Sequence, residues 1–251
     1  MSRKREAEMI ARMQDKIARA GLRVVKRELL RAARYAADRY EYSGQILLPE
    51  DLRRRLWGAF GTIHEHAILA SVQRTQRLLK SDAAWIEKKF DWPELAKRFA
   101  FEFAATHMSM KVTLVEASSL GSLTSVIKQG MMEGEGQDNI AARIKKMTPK
   151  LTKMQAARIA RTEVHGASGY AGMKTAEVIG DDIILEREWI AVEDERTRSA
   201  HGSADEQRRG FGEAFDVGGE ALMYPGDPNG SAGNIINCRC SAVEVLKEIQ
   251  A

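Results

Sequence analysis

The first 40 residues repeat apolar side chains at a spacing that fits one long α-helix. Between residues 6 and 40 the apolar positions are separated by threes, fours and one five. They are Ile10, Met13, Ile17, Ala20, Val24, Leu29, Ala33, Ala36 and Tyr40. This spacing places them on one face of a helix, whereas a strand would need a period of two. A chain that begins this way must build its N-terminal part by packing helices together.

Two further helices are predicted before residue 120. The second begins near Pro49 and runs toward Leu78, and the third begins near Pro93 and carries apolar residues as far as Met110. Proline suits the first turn of a helix, because its missing N–H would have no partner there in any case. No segment before residue 120 alternates as a half-buried strand does. The N-terminal half is therefore predicted to be helical.

The helical spacing of apolar residues is interrupted after this region. Three glycines between residues 130 and 136 break the helical pattern. Asp138 or Asn139 is expected to cap a short helix that ends before Pro149, because the residue before a proline disfavours helical geometry. A helix rich in alanine and glycine follows over residues 153–180, and its small side chains allow another element to approach closely.

Strand patterns appear only after residue 180. Ile183, Leu185 and Trp189 fall on one side of an alternating segment, with Glu186 and Glu188 on the other, which predicts a half-buried strand. A polar loop and a turn-rich segment follow it, and the segment "CRCSAVEVL" predicts a closing strand.

These patterns predict an α+β fold. A mainly helical N-terminal region of long amphipathic helices spans residues 1–124, and a small C-terminal α+β domain with a short antiparallel sheet spans residues 125–251. No apolar run approaches the roughly 20 residues that a membrane span requires, so no membrane partner is expected. The basic N-terminus lacks the apolar core of a secretory signal, which favours the cytoplasm as the compartment of synthesis.

Charge is distributed unevenly along the chain. Residues 1–80 carry 18 basic and 9 acidic side chains, whereas the remainder carries 21 basic and 26 acidic ones. The two parts are therefore expected to have different partners. A basic solvated helix face and a contact with nucleic acid both explain the excess in the N-terminal part.

Several motifs follow one another in the C-terminal part of the chain. They are "ARTE" at Ala160–Glu163, a strand with Trp189, "DERTRSAH" at Asp194–His201, "PGDP" at Pro225–Pro228 and "NCRC" at Asn237–Cys240. In this order they resemble the C-terminal domain of the phage Mu F-like minor head proteins, a head-morphogenesis family of tailed bacteriophages. The resemblance covers roughly residues 125–251. One departure is that the family usually has Asp-Gly after the loop, whereas here Glu206 follows Asp205.

The resemblance implies a structural role in the virion. It implies a minor capsid protein in the interior of the head near the portal, which acts in head assembly or in DNA packaging and delivery, and which resides in the host cytoplasm during assembly. The expected partners are the portal protein and the major capsid or scaffolding protein. Packaged double-stranded DNA is a further expected partner, through the basic N-terminal helices.

The two cysteines suggest a metal site. Cys238 and Cys240 point to the same side if "CRC" lies in a strand, and His201 adds a third ligand of the kind that zinc prefers. The fourth ligand is expected to be water or one of Asp194, Asp205 and His165, with Asp194 assigned to the site. The alternative is that both thiols are reduced and buried, with His201 bonded to a loop carboxylate. A disulfide is disfavoured by the spacing and by a reducing cytosol.

An enzyme is the competing interpretation. A toxin-like, metal-dependent hydrolase or transferase would use Glu163 together with the histidine and the cysteines. No nucleophile–base pair and no cofactor loop is recognisable, so we expect no catalysis. The charged residues of the motifs are instead expected to form buried networks that tie the helix to the loop. They are Arg161, Glu163, Asp194, Arg196 and Arg198.

Overall fold

The computed structural model describes residues 3–82, 84–180, 183–192 and 194–246. The helices are α1 Arg3–Ser43, α2 Leu52–Asp82, α3 Ala84–Glu87, α4 Trp92–Met132, α5 Gln137–Ile179, α6 Ser199–Ser203 and α7 Ala232–Ile235. The strands are β1 Ile184–Ile190, β2 Arg208–Arg209, β3 Phe215–Val217, β4 Glu220–Leu222 and β5 Ser241–Leu246. All strands in the described ranges lie after residue 180, so the predicted α+β class is confirmed. None of the helices in these ranges has an apolar stretch long enough to cross a lipid bilayer.

The strands form two small antiparallel sheets. In the first, β1 lies between β2 and β5, and Trp189 is opposite Ala242. The second is the hairpin β3–β4. Gly218 and Gly219 join its strands with φ of 64° and 83°. Two positive φ angles in succession belong to the tight turn that matches the twist of paired strands, and glycine adopts them without strain.

Helix α5 corrects the prediction of a short helix that ends before Pro149, because the helix continues through the proline. Pro149 removes one backbone donor, but the buried side chains on either side remain bonded within the helix. The Thr148 hydroxyl donates to the carbonyl of Ile144, and the Thr152 hydroxyl donates to the carbonyl of Thr148, both at 2.7 Å. Tertiary packing of this buried face outweighs the local preference against helix.

The turn between α4 and α5 contains the predicted helix break. Gly134 has φ of 74°, and its N–H donates to the carbonyl of Met131. This left-handed residue ends α4 in the way that glycine commonly ends helices. Asp138 lies within the first turn of α5 rather than before it, so its carboxylate acts on the helix dipole and does not cap the helix.

The chain divides into two compact units. Unit 1 comprises Met1–Ala18, Ile63–Ala104 and Arg161–Ala251, and unit 2 comprises Arg19–Thr62 and Ala105–Ala160. The boundary between residues 124 and 125 lies inside α4, and this division into domains stays a prediction.

The core of unit 2 is a contact between helices. Alanines on α1 pack against aliphatic residues of α4 and α5, and their small side chains allow a close approach. The buried cluster consists of Ala33, Ala36, Ala37, Tyr40, Leu123, Val126, Ile127, Ile140, Ala141 and Ile144. The apolar face that the periodicity predicted for the first helix is therefore the face that packs against α4 and α5.

Strand β1 is buried on both faces, which corrects the prediction that it is half-buried. Glu188 was expected to face solvent, yet it is only 3% exposed. Its carboxylate is paired with Arg3 and with Arg208, the latter at 2.8 Å. Arg187 is buried on the other face and donates to the carbonyls of Met223 and Glu213. Because the charged groups of Glu188 and Arg187 both have partners, both residues can be buried, which the alternating pattern does not predict.

Glu206 adopts a backbone conformation that favours glycine, at the position where the resemblance implies a glycine. Its φ is 61°, and its side chain is exposed. We expect Glu206→Gly to raise the free energy of unfolding by about 0.5–1 kcal/mol, because relief of the left-handed strain exceeds the added chain entropy. Urea denaturation measures the change. Glu206→Ala is the control, and an equal gain from alanine would contradict the backbone explanation.

Candidate metal centre

The two cysteines lie just before β5, in a short segment without regular secondary structure that follows a turn. The prediction that they belong to the closing strand is wrong, because β5 begins at Ser241. Pairing with β1 ends at Ile190 opposite Ser241. The backbone N–H of Ala191 points to the same side of the chain as that of Trp189, and it donates to the Asp205 carboxylate at 2.7 Å on the edge of β1 away from β5.

His201 lies against both cysteines. Its Nδ1 is 3.2 Å from the Cys240 Sγ and 3.6 Å from the Cys238 Sγ. One ligand atom from each of the three residues lies within 4.8 Å of the other two, and all three residues are buried. His201 is placed there by α6, a short helix within the segment predicted to be an irregular loop. The predicted convergence of a histidine and two thiols is present in the structure.

Two arginines connect the loop that leads to His201 (residues 194–201, the histidine loop) with the turn that carries the cysteines (residues 236–240, the cysteine turn). Arg239, between the two cysteines, holds the Asp194 carboxylate with two hydrogen bonds of 2.5 and 2.6 Å. Arg198 donates to the backbone carbonyl of Ile236 at 2.6 Å. A planar guanidinium suits such forked contacts. These contacts join the "DERTRSAH" and "NCRC" segments, and the role of Arg239 was not anticipated from the sequence.

The two thiols differ in acidity. The pKa of Cys238 is lowered chiefly because its sulfur accepts a hydrogen bond from the Cys240 thiol. The pKa of Cys240 is raised because its thiol makes that bond and because it is buried. The first proton is therefore lost from Cys238. Binding a metal through both sulfurs requires loss of the second as well, and metal affinity would rise with pH accordingly.

The three side chains fit a metal ion. Zn–N and Zn–S bonds of about 2.1 and 2.3 Å in a tetrahedron separate N from S by about 3.6 Å. The observed separations of 3.2 and 3.6 Å are close to that value. His201 Nδ1 would be the ligand atom, and Nε2, which is buried with no partner among the described residues, would keep its proton. The group can therefore bind a metal.

The side chains proposed as fourth ligand all have other partners. Asp194 is held by Arg239, and Asp205 accepts the N–H of Ala191. His165 Nδ1 is 3.2 Å from the amide oxygen of Gln14. Within the described part of the chain, the group of possible ligands contains only the histidine and the two cysteines. The assignment of Asp194 stays a prediction, and the structure places its carboxylate in an ion pair.

The residues of this site lie in a segment of the sequence that matches a known protein family. The family model described as "Phage Mu protein F like protein" matches residues 122–243. Residues 122–243, just under half of the chain, are therefore a Mu F-like segment. They include the ARTE helix, the Trp189 strand, the loop with Asp194 and His201, and the turn before the cysteines.

Two curated relatives match about half of the chain. Minor head protein GP7 of Bacillus phage SPP1 is 30% identical over 128 residues, which are 51% of this chain and 41% of that protein. NAD(+)--arginine ADP-ribosyltransferase EFV of Enterococcus faecalis (strain ATCC 700802 / V583) is 32% identical over 131 residues. They are 51% of this chain and 26% of that protein. The chain thus spans less than half the length of either relative. No solved structure matches it.

Glu163 of the Mu F-like segment lies in a separate buried pair. Its carboxylate is 2.9 Å from His64 Nε2, and the two residues are 4% and 1% exposed. The edge of the His64 ring also meets Phe103, with centroids 4.9 Å apart. Glu163 is not part of the group formed by the histidine and cysteines. The Glu163 carboxylate is therefore paired with His64 and is not one of the grouped possible metal ligands.

The expected charge network between helix and loop takes a different form. Arg161 of α5 donates to the side-chain oxygen of Asn237 at 3.0 and 3.1 Å, and the N–H of Asn237 donates to the Thr162 hydroxyl. The Asp194 carboxylate accepts hydrogen bonds from Arg239 and not from the helix arginine, Arg161. The helix is thus tied to the cysteine turn, and the turn is tied to the loop.

Small residues of the Mu F-like helix were predicted to allow a close approach, and the element that approaches is the PGDP turn. A Cβ at Gly169 would lie 2.6 Å from the Tyr224 ring, and one at Gly166 would lie 3.0 Å from the carbonyl of Gly226. Buried Asp227 holds the turn by accepting the backbone N–H groups of Met223 and Asn229. The motif "PGDP" therefore has a structural role in this domain.

A buried ion triad in unit 1 was not anticipated from the sequence. Arg74 of α2 pairs with Glu6 of α1 and, at 2.6 Å, with Glu244 of β5. The arginine is 7% exposed. Its partners are 68 and 170 residues away along the chain, so no local pattern could indicate the contact.

Proposed function

We propose that the protein is a minor head protein of a tailed bacteriophage that binds the portal or the inner capsid. It acts there in head assembly or in DNA packaging and delivery, inside the virion, after synthesis in the host cytoplasm. The observation that carries the proposal is the Mu F-like match over residues 122–243, together with the similarity to a minor head protein. The portal protein and the major capsid or scaffolding protein are the proposed partners. Packaged DNA is a further partner of the basic N-terminal helices.

Assembly of particles in the presence of the full chain tests the proposal. The phage capsid, scaffolding and portal proteins are co-expressed with the chain, and procapsids are purified on a density gradient. We expect the chain to co-sediment with the procapsids. Matched particles without the portal distinguish the two attachment sites, because a portal-bound protein is lost from them and a capsid-bound one is retained. Absence from both kinds of particle would contradict the proposal.

We further propose that the metal of the His/Cys/Cys group is zinc. Thiolate and imidazole ligands in a tetrahedral arrangement favour zinc over magnesium or calcium. His201, Cys238 and Cys240 would hold it, with Asp194 or water in the fourth position. The burial of all three side chains and the place of both cysteines in the core with Trp189 support a structural role. The ion would join α6 to the segment before β5.

Transferase activity is the second candidate, because the relative from Enterococcus faecalis is named for it. The matched residues are only 26% of that protein. Glu163, the acid that the sequence offers for such chemistry, is buried against His64. We propose that the chain has no turnover. Incubation with labelled NAD⁺ and arginine-containing acceptors tests this, and label transfer that is abolished in a folded Glu163→Gln variant would overturn it.

A further inference from the structure

One face of α1 in unit 2 is strongly basic. Within twelve residues of this helix, five basic side chains and one leucine line a shallow groove of about 500 Å³. They are Arg23, Lys26, Arg27, Leu30, Arg31 and Arg34. Steps of three, four, eight and eleven residues from the first of them return to the same side of a helix. The basic groups therefore form one continuous surface, named here the α1 basic face.

No exposed acid interrupts the α1 basic face. The single acidic residue between positions 23 and 34 is Glu28, and it is buried. Its carboxylate accepts hydrogen bonds from Arg27 and Arg55, both at 2.7 Å. Burial alone would raise the pKa of Glu28, but these hydrogen bonds lower it, so the acid is ionised and neutralised locally.

Most of the α1 basic face is free to meet a partner. Arg23, Arg31 and Arg34 are exposed, and none of them forms an ion pair within the part of the chain that the structure describes. Arginine that is neither paired nor buried contributes little to stability. The concentration of such groups on one face is instead typical of a surface that binds anions.

The length of the face suits the phosphates of a duplex. At a rise of 1.5 Å per residue, the eleven steps from Arg23 to Arg34 span about 16 Å. Each strand of a DNA duplex places a phosphate every 3.4 Å along the axis, so about five phosphates of one strand lie along that length. One guanidinium group can donate two parallel hydrogen bonds to two oxygens of a phosphate, and the long arginine side chain adjusts to the spacing of the phosphates.

We propose that the α1 basic face binds the phosphate backbone of double-stranded DNA without reading its sequence. This proposal rests on the proposed function, which places the protein beside packaged DNA, and it assigns that contact to particular side chains. The face offers positive charge and a single aliphatic residue, and half to two-thirds of protein–DNA hydrogen bonds go to phosphate and sugar, which carry no sequence information directly. Affinity should therefore depend on salt and not on sequence.

Fluorescence anisotropy with a labelled 25-base-pair duplex tests the proposal on the full chain. With about five phosphate contacts, the slope of log affinity against log salt should be about −4.5. A variant with Arg23→Gln, Arg27→Gln, Arg31→Gln and Arg34→Gln should lose at least tenfold in affinity at 100 mM salt. Its slope should be shallower by about 3.6, which corresponds to four lost contacts. A second duplex of different sequence should bind equally well.

A matched variant separates this face from the total charge of the protein. Four exposed basic residues of α5, changed to glutamine, remove the same charge, and the expected loss of affinity is less than threefold. They are Lys146, Lys150, Lys153 and Arg158. Circular dichroism confirms that both variants are folded.

Three outcomes would overturn the proposal. They are an equal loss in both variants, a wild-type affinity that does not depend on salt, and a face variant that keeps its DNA affinity but no longer joins procapsids. The last would identify an acidic protein as the partner. Failure of the proposed function is distinct, because it would appear as absence from procapsids while DNA affinity in solution is retained.

Discussion

Replacing Arg74 with methionine is expected to lower the free energy of unfolding by about 3–5 kcal/mol. Arg74 is buried between Glu6 and Glu244, and methionine would leave two carboxylates close together in the protein interior with no cation. Burial already raises the pKa of Glu6, so the arginine is what permits ionisation there. Denaturation in guanidinium chloride, followed by circular dichroism, measures the loss.

A matched arginine and a rescue variant test this explanation. Arg98 pairs with Glu102 at 3.7 Å, and the two side chains are 53% and 40% exposed. Arg98→Met should therefore cost less than about 1 kcal/mol. Adding Glu6→Gln and Glu244→Gln to Arg74→Met should recover part of the loss, because the buried charges are then removed. Equal costs at Arg74 and Arg98 would refute the account.

Zinc is expected to stabilise the folded protein by about 4 kcal/mol when free zinc is a thousandfold above the dissociation constant. The reason is that His201, Cys238 and Cys240 converge only in the folded chain. Cys238→Ser should abolish the gain, because it removes one of three ligands. Thermal unfolding of the wild-type protein and the variant, each with zinc and with a chelator, measures the effect.

The competing account of the cysteines predicts a different pattern. If the thiols are only buried apolar groups, Cys238→Ala costs no more than lost packing, and that cost is the same with and without zinc. Asp194→Asn separates the two roles of the acid. It should weaken zinc binding if Asp194 is the fourth ligand, and it should leave zinc binding unchanged if the carboxylate serves only Arg239.

Periodicity and motif order predicted the larger features of the fold. The long helices follow from apolar spacing, because a helix must bury its apolar face. The first helix, predicted over residues 6–40, extends over Arg3–Ser43. The helix predicted to begin near Pro93 is α4, and it continues past Met110 to Met132. The small side chains of the helix over residues 153–180 predicted a close approach of another element, and the structure shows that this element is the PGDP turn. The meeting of His201 with the cysteines was also predicted, because their segments belong to one small domain.

The features that were missed depend on contacts between distant residues. Pro149 favours a helix end locally, but the buried face around it keeps α5 continuous. Glu188 appears solvent-facing in the alternating pattern, and only the arrival of Arg3 and Arg208 permits its burial. Arg239 is one basic residue among many in the sequence, and its role becomes visible only when Asp194 lies opposite it.

Quantitative mass spectrometry of DNA-filled heads tests the central claim most directly. Heads purified from an infected culture on a density gradient are digested, and peptides of this chain are measured against those of the major capsid protein. As a minor head protein, the chain should be present in the heads, in few copies relative to the major capsid protein. Detection of the chain in infected cells, together with its absence from purified heads and procapsids, would contradict the account.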